Sequence, residues 1–290
     1  MTKLTMLLAV AACGGSTATG SSTASTTPSP TTGTETTNQT GSADETRMPP
    51  DQYPGRKLQM LRTPAELSWQ DAPAAKGVST AGAWGDPSKE GGWFIKLATG
   101  SATQQTYAVD ARGVVVTGTL EPSTKPSPNT RVAALTSGST WFQPANTPKT
   151  LKCASGECVV FVETTGGTGG GAASEKRAFE LTWAPLDANN PQSPQGATVW
   201  GDPKTGPNGM LLKLPAGNPT FWHIHRYDHH GVVLAGTFDN LESGHESKDL
   251  PPGSYIFEPG GNKHTANCKA GAPDCVVYVH FIGAYDVKAM

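Results

Sequence analysis

An all-β chain built as two tandem sandwiches or barrels is the fold class this sequence predicts. Three observations lead there. Gly 34 and Pro 24 make 58 of 290 residues, a density that suits short strands and turns and works against long helices. Runs of four to seven β-branched or aromatic residues recur between Gly, Pro, Asn and Asp, and no segment holds a helical period. Most telling is an internal repeat. Glu66-Leu67-Ser68-Trp69 returns as Glu180-Leu181-Thr182-Trp183, and Trp84-Gly85-Asp86-Pro87 as Trp200-Gly201-Asp202-Pro203. The stretch from Gly113 to Thr119 returns from Gly231 to Thr237, and Phe142 and Pro144 return as Phe257 and Pro259. The order is kept with an offset between 114 and 118, too long a period for a solenoid.

In chain order, residues 1–13 come first as an export-type segment. One Lys, a short apolar run and small residues precede Cys13. Val10-Ala11-Ala12-Cys13 resembles the lipobox of bacterial lipoproteins, which implies lipidation at Cys13; an ordinary signal peptide ending in Ala-Ala-Cys is the alternative. Residues 14–50 are almost entirely Gly, Ser, Thr, Pro and Ala; they bury too little apolar area to offset ordering and read as a flexible tether. The first repeat takes residues 60–165 and the second 175–290, with the Gly-rich stretch from Gly166 to Ser174 between them.

A net charge of -2, with only 16% charged residues, argues against a nucleic-acid partner or a polybasic membrane surface. No run of eighteen apolar residues exists, so a lipid anchor is the expected route to a membrane. Four cysteines remain after Cys13, in two local pairs: Cys153 with Cys158, and Cys268 with Cys275. Each pair has a strand-like run after it and Gly within it, which fits bridges that close hairpins near their turns. A four-cysteine zinc site is the alternative, but the spacings differ from the usual knuckles. Disulfides point to an oxidising compartment, hence to an exported protein of the cell envelope.

All seven histidines lie between His223 and His280; the first repeat has none. In His223-Ile224-His225 the two imidazoles point the same way on a strand, and His229 keeps that parity if the strand continues. His264 follows a second turn. Four imidazoles on a rigid β scaffold suit a transition metal. Three other histidines take plainer expectations. His230 points to the other face or stands behind the ligands. His245 sits solvated in a polar loop. His280, which matches Glu163 of the first repeat, is a buried histidine with partners or a contact for substrate.

The spacing Gly217-x5-His223-x-His225-x3-His229-x6-Gly236 looks like the first motif of the cupin superfamily, and Gly253-x5-Pro259-x-Gly261-x2-His264 like the second. The two repeats together resemble a bicupin over residues 60 to 288, which implies two double-stranded β-helix jelly rolls. One departure stands out: the family usually has Glu where His229 stands. Four neutral imidazoles would leave a divalent ion both its charges, favouring an anionic ligand; alternatively three histidines bind and His229 only lines the site. The first repeat places Thr106, Ala108 and Lys149 at ligand positions, with Arg112 or Ala111 at the remaining one. None of these makes a metal site, so this half is expected to cover a sheet face or edge of the other.

The resemblance implies one divalent transition metal (Fe, Mn, Ni, Cu or Zn) in the second repeat and a small-molecule substrate. Oxygenase-like or metal-assisted isomerase and lyase chemistry follows; a non-catalytic ligand- or chelate-binding lipoprotein is the competing class. No general base is evident; Glu258 precedes Pro259, and the strand parity that would aim it inward is open. The superfamily's habit of pairing sheets admits a homodimer.

Overall fold

The computed structural model describes residues 57–123, 132–168, 170–190, 192–271 and 273–290. The export-type segment, Cys13 and the linker at 14–50 lie outside the described residues. Among those described there is no α-helix, only two single 3-10 turns at matching places, Pro64–Glu66 and Ala178–Glu180. No described helix is long and apolar enough to cross a membrane.

The repeats fold alike. One seven-strand path runs Ser174–Lys176, Thr140–Gln143, Ala111–Leu120, Lys149–Thr165, Glu90–Leu97, Val78–Gly85 and Gln70–Asp71. The other runs Met60–Arg62, Tyr255–Glu258, His229–Ala235, Cys275–Phe281, Asn208–Leu214, Gln195–Gly201 and Ala184–Pro185. Position by position the two paths match, with one exchange. Met60–Arg62, which opens the first repeat, pairs with Tyr255–Glu258 of the second. Ser174–Lys176, at the start of the second, pairs with Thr140–Gln143 of the first. Each repeat thus covers an edge of the other's sheet that would otherwise be free to pair with another chain.

Strand alternation explains why these runs are apolar on both faces. In the first repeat Val115 points into its own barrel while Val114 and Val116 point at the other repeat. In the second, Val233 points inward while Val232 and Leu234 point across. Phe94, Phe161, Leu211, Tyr255 and Tyr278 complete the shared core, so the first repeat covers a sheet face of the second. Register shifts at Gly82/Trp84 and Thr198/Trp200 mark equivalent bulges. A bulge re-aims its side chain, and here each tryptophan reaches across. Trp84 stacks on His230 at 4.2 Å and Trp200 lies under the Arg112 guanidinium at 4.6 Å.

Both local disulfides form, Cys153–Cys158 and Cys268–Cys275, with Cα separations of 5.7 and 5.5 Å. The second joins the end of one strand to the start of the next. The first does not close a hairpin as the spacing suggested. Both its cysteines lie on the 17-residue strand Lys149–Thr165, whose ladder with Ala111–Leu120 shifts register three times around them. Equivalent glycines abut the bridges: Gly118 and Gly236 have φ of +77° and +75°, and an added Cβ would lie 2.7 and 2.9 Å from the Cα of Cys158 and Cys275.

Candidate metal centre

The second repeat also carries a four-stranded sheet, Phe238–Glu242, His264–Cys268, His223–Ile224 and Lys288–Ala289. His223 and His264 are direct cross-strand partners on it, which sets their rings 4.4 Å apart between centroids. Two residues on, His225 leans back toward both, 5.0 Å from His223 and 5.4 Å from His264. One nitrogen from each of these three buried rings lies within 4.8 Å of the others. His229 opens the strand His229–Ala235 beside them, its centroid 4.8 Å from His225 and 5.8 Å from His264.

The hydrogen bonds fix which nitrogens face inward. Nδ1 of His223 meets the Phe221 carbonyl at 2.8 Å, Nδ1 of His264 meets that of Asn262 at 3.1 Å, and Nδ1 of His225 meets that of Asp286. A carbonyl only accepts, so Nδ1 carries the proton in all three rings and Nε2 keeps its lone pair. Protonation of Nε2 is disfavoured. Burial, then the charge of His223, pushes His225 down to about 4 and His264 to about 3. Burial also lowers His223, and it drives His229 well down. Neutral imidazoles with their outer N–H committed to fixed acceptors are the arrangement a metal ion needs from its ligands.

The Asp286 carbonyl gives no signal in residue identity, because any residue supplies one. It sits on the C-terminal segment, where Lys288–Ala289 pairs with His223–Ile224 and the Asp286 carboxylate accepts from the Arg226 amide at 3.0 Å. Glu258 has the parity of Ile256, which lines the interior, and so faces inward. Its Oε1 lies 3.8 Å from His264 Nδ1, while Oε2 accepts from Asn240 at 2.7 Å and from Gln59 at 2.5 Å. Burial pushes this carboxyl up to about 8 despite those donors. Gln59 comes from ahead of the first repeat, and nothing in its sequence context announces the contact.

A cavity of about 320 Å³ is lined by His223, His225, His229 and His264 together with Leu212, Leu214, Ile256, Val277, Val279 and Phe281. Glu258 is not among its lining residues, nor are His230 and His280. Those two histidines are direct strand partners on the opposite face, between the repeats. His230 is sandwiched near Trp84 and takes a 2.7 Å hydrogen bond with the Tyr255 hydroxyl, and His280 pairs with Glu163. His245 is partly exposed beside Glu242.

In the first repeat the corresponding space is filled. The Trp141 indole, at the position of Ile256, lies over Gly113 so closely that an added Cβ would sit 1.9 Å from it. Trp93 and Tyr107 pack against each other at 5.1 Å in the same core. Lys149 is bound to Glu175 at 2.7 Å, and Arg112 is turned outward onto Trp200. Neither offers its charge to an anion inside the barrel.

Residues 176–288 match the family described as a domain of unknown function (DUF4437). No curated protein sequence matches the chain. Several solved structures do match in shape. YlbA from Escherichia coli is 14% identical, with 77% of this chain and 90% of that one covered at a TM-score of 0.56. A mutant of Bacillus subtilis oxalate decarboxylase is 10% identical, covering 81% and 80% at 0.55. Streptomyces albus HEPD, with its substrate 2-hydroxyethylphosphonate and Fe(II) bound, is 7% identical, covering 78% and 76% at 0.55. At these identities the likeness is one of fold, and it spans both repeats: the chain has the cupin fold, in two tandem copies.

Proposed function

We propose that the second repeat binds one divalent transition metal through Nε2 of His223, His225 and His264, with His229 as a fourth ligand or as a wall of the site. One observation carries the reading: three buried imidazoles have their outer nitrogens tied to backbone carbonyls, so that their free lone pairs converge. When bound, such an ion supplies Lewis-acid chemistry and, if redox-active, oxidative chemistry. The chain's own contribution is to hold the donors neutral and fixed, to exclude water with the Leu, Ile, Val and Phe walls, and to brace His264 from behind with Glu258. We read the protein as a metal-dependent enzyme of small-molecule substrates, with oxygenase-like or isomerase and lyase chemistry. The fold neighbours that act on oxalate and on 2-hydroxyethylphosphonate support this reading.

The chain is proposed to be exported and held in a bacterial cell envelope by a lipid on Cys13. The lipobox-like start supports this, and so do two disulfides that suit an oxidising compartment. A second reading, a non-catalytic binder of a small ligand or metal chelate, draws on one observation. Glu258, the carboxyl behind His264, lines no part of the cavity, and the one carboxylate that does, Asp187, is exposed. Elemental analysis of the protein purified from an envelope fraction, followed by oxygen-uptake and substrate-depletion assays, tests both. A bound redox-active ion with turnover supports the enzyme; a bound ion without turnover supports the binder. Absence of any stoichiometric metal overturns the metal centre itself.

A further inference from the structure

The cavity's chemistry goes further than the metal, and the step rests on the metal reading above. Among the described residues no lysine or arginine lines it. Its single charged side chain is Asp187, which is exposed and negative. The four histidines that line it are the proposed ligands and wall of the metal site, so among the described lining residues the bound ion is the one positive charge a ligand meets. A second carboxylate or phosphate buried here would meet hydrocarbon and neutral polar side chains but no counter-charge, which is costly.

The interior wall is apolar and deep: Leu214, Val277 and Val279 are buried. This apolar surface continues outward. Leu186, Phe221 and Val287 line the same cavity yet are 37%, 60% and 39% exposed, so apolar surface reaches the rim, beside the neutral polar side chains of Asn190, Gln192 and Asn218. The volume of about 320 Å³ is some twice the ~150 Å³ of a cavity known to hold benzene. There is room for a ring-sized body beside a chelating head.

We infer that the site takes a ligand with one anionic, metal-chelating head and an uncharged apolar body of ring size or larger, and rejects ligands bearing a second anion. The apolar body gains by burying its surface against Leu212, Leu214 and Ile256. A small, fully polar acid leaves that wall wet, and a diacid has no cation for its far end. The first repeat shows how the wall is closed: Trp141 stands where Ile256 stands. Gly231 lies beneath Ile256 as Gly113 lies beneath Trp141, so the second barrel has the backbone to accept the same indole.

The test uses the full chain loaded with cobalt(II), and its visible absorption reports ligand binding at the ion. Three 2-oxo acids share one chelating head: glyoxylate has no body, benzoylformate a phenyl body and 2-oxoglutarate a second carboxylate. Benzoylformate is expected to bind at least about tenfold tighter than either of the others. Ile256→Trp is expected to keep its cobalt and lose most of benzoylformate's advantage. If that variant fails to fold, the three-acid comparison on the unaltered protein decides alone. Benzoylformate binding no tighter than glyoxylate, or 2-oxoglutarate equalling it, overturns the ligand class while the metal centre stands. A protein that takes up no cobalt overturns both.

Discussion

Glu163 and His280 occupy equivalent positions in the two repeats and meet each other across the interface, carboxylate to imidazole at 3.1 Å, both buried. The Tyr278 hydroxyl donates to the same carboxylate at 2.6 Å, and the Trp200 indole N–H at 3.1 Å. Burial opposes both charges. Even so, Glu163 is held below its ordinary 4.5 by His280 and the Tyr278 hydroxyl, and His280 is held above its ordinary 6.5 by Glu163.

The sign of the pH effect follows from these directions. The glutamate's stabilisation is complete above 4.5 and is lost as pH falls through its lowered value. The histidine's is complete below 6.5 and is lost as pH rises through its raised value. The pair therefore stabilises most between pH 4.5 and 6.5. Denaturant unfolding followed across pH should place its contribution there. Glu163→Gln should lower stability by about 3 kcal/mol and flatten the profile. An unchanged profile in that variant would show that the pair contributes nothing.

Replacing His223 and His225 together by Ala should reduce metal content from about one ion per chain to under about a tenth, with the strand signal of circular dichroism retained. Unchanged metal content would sink the site. His229→Ala separates a ligand from a wall: a ligand's loss weakens metal affinity, whereas a wall's loss does not.

Ending the chain at Ile282 removes the Asp286 carbonyl from His225 and the strand Lys288–Ala289 from His223. Loss of such outer supports weakens metal affinity by roughly 10–100-fold. A chelator-competition titration of the truncated protein should read a drop of that size, and equal affinity would show the C-terminal segment to be dispensable.

Peptide mapping without reductant should find Cys153 linked to Cys158 and Cys268 to Cys275. For loops this short, each bridge is worth about 2 kcal/mol on the chain-entropy model, so unfolding under reductant should shift by that order. A link between the repeats, such as Cys153 to Cys268, would contradict the fold described.

Much of this architecture was legible in residue order. The repeat fixed two like domains because Trp-Gly-Asp-Pro and the Gly113 and Gly231 runs recur at nearly constant offset. The His223 and His225 spacing put two rings on one side because side chains alternate on extended backbone, although the strand itself ends at Ile224 and His229 opens another strand instead of continuing it. The illegible parts were those in which side-chain identity carries little. His225 and His264 are oriented by carbonyls, which every residue has. Met60-Leu61-Arg62 gives no hint that it pairs with Tyr255–Glu258, since three residues hold too short a pattern to specify a partner. His280 could be aligned with Glu163, but that the two touch depends on how the repeats face each other, which alignment does not contain. The placement of Glu258 behind His264, rather than at the cavity wall, is another product of three-dimensional packing.

The exchanged strand also decides where a mechanical load enters the molecule. Chain ahead of residue 57 leads through Lys57, ion-paired to Asp228, into the ladder Met60–Arg62 on Tyr255–Glu258. A tug on the N-terminus is therefore taken up as shear along the edge of the histidine-bearing half, although the other half comes next in sequence. Peeling that three-residue ladder would free Gln59 from Glu258 before the rest of either half had yielded.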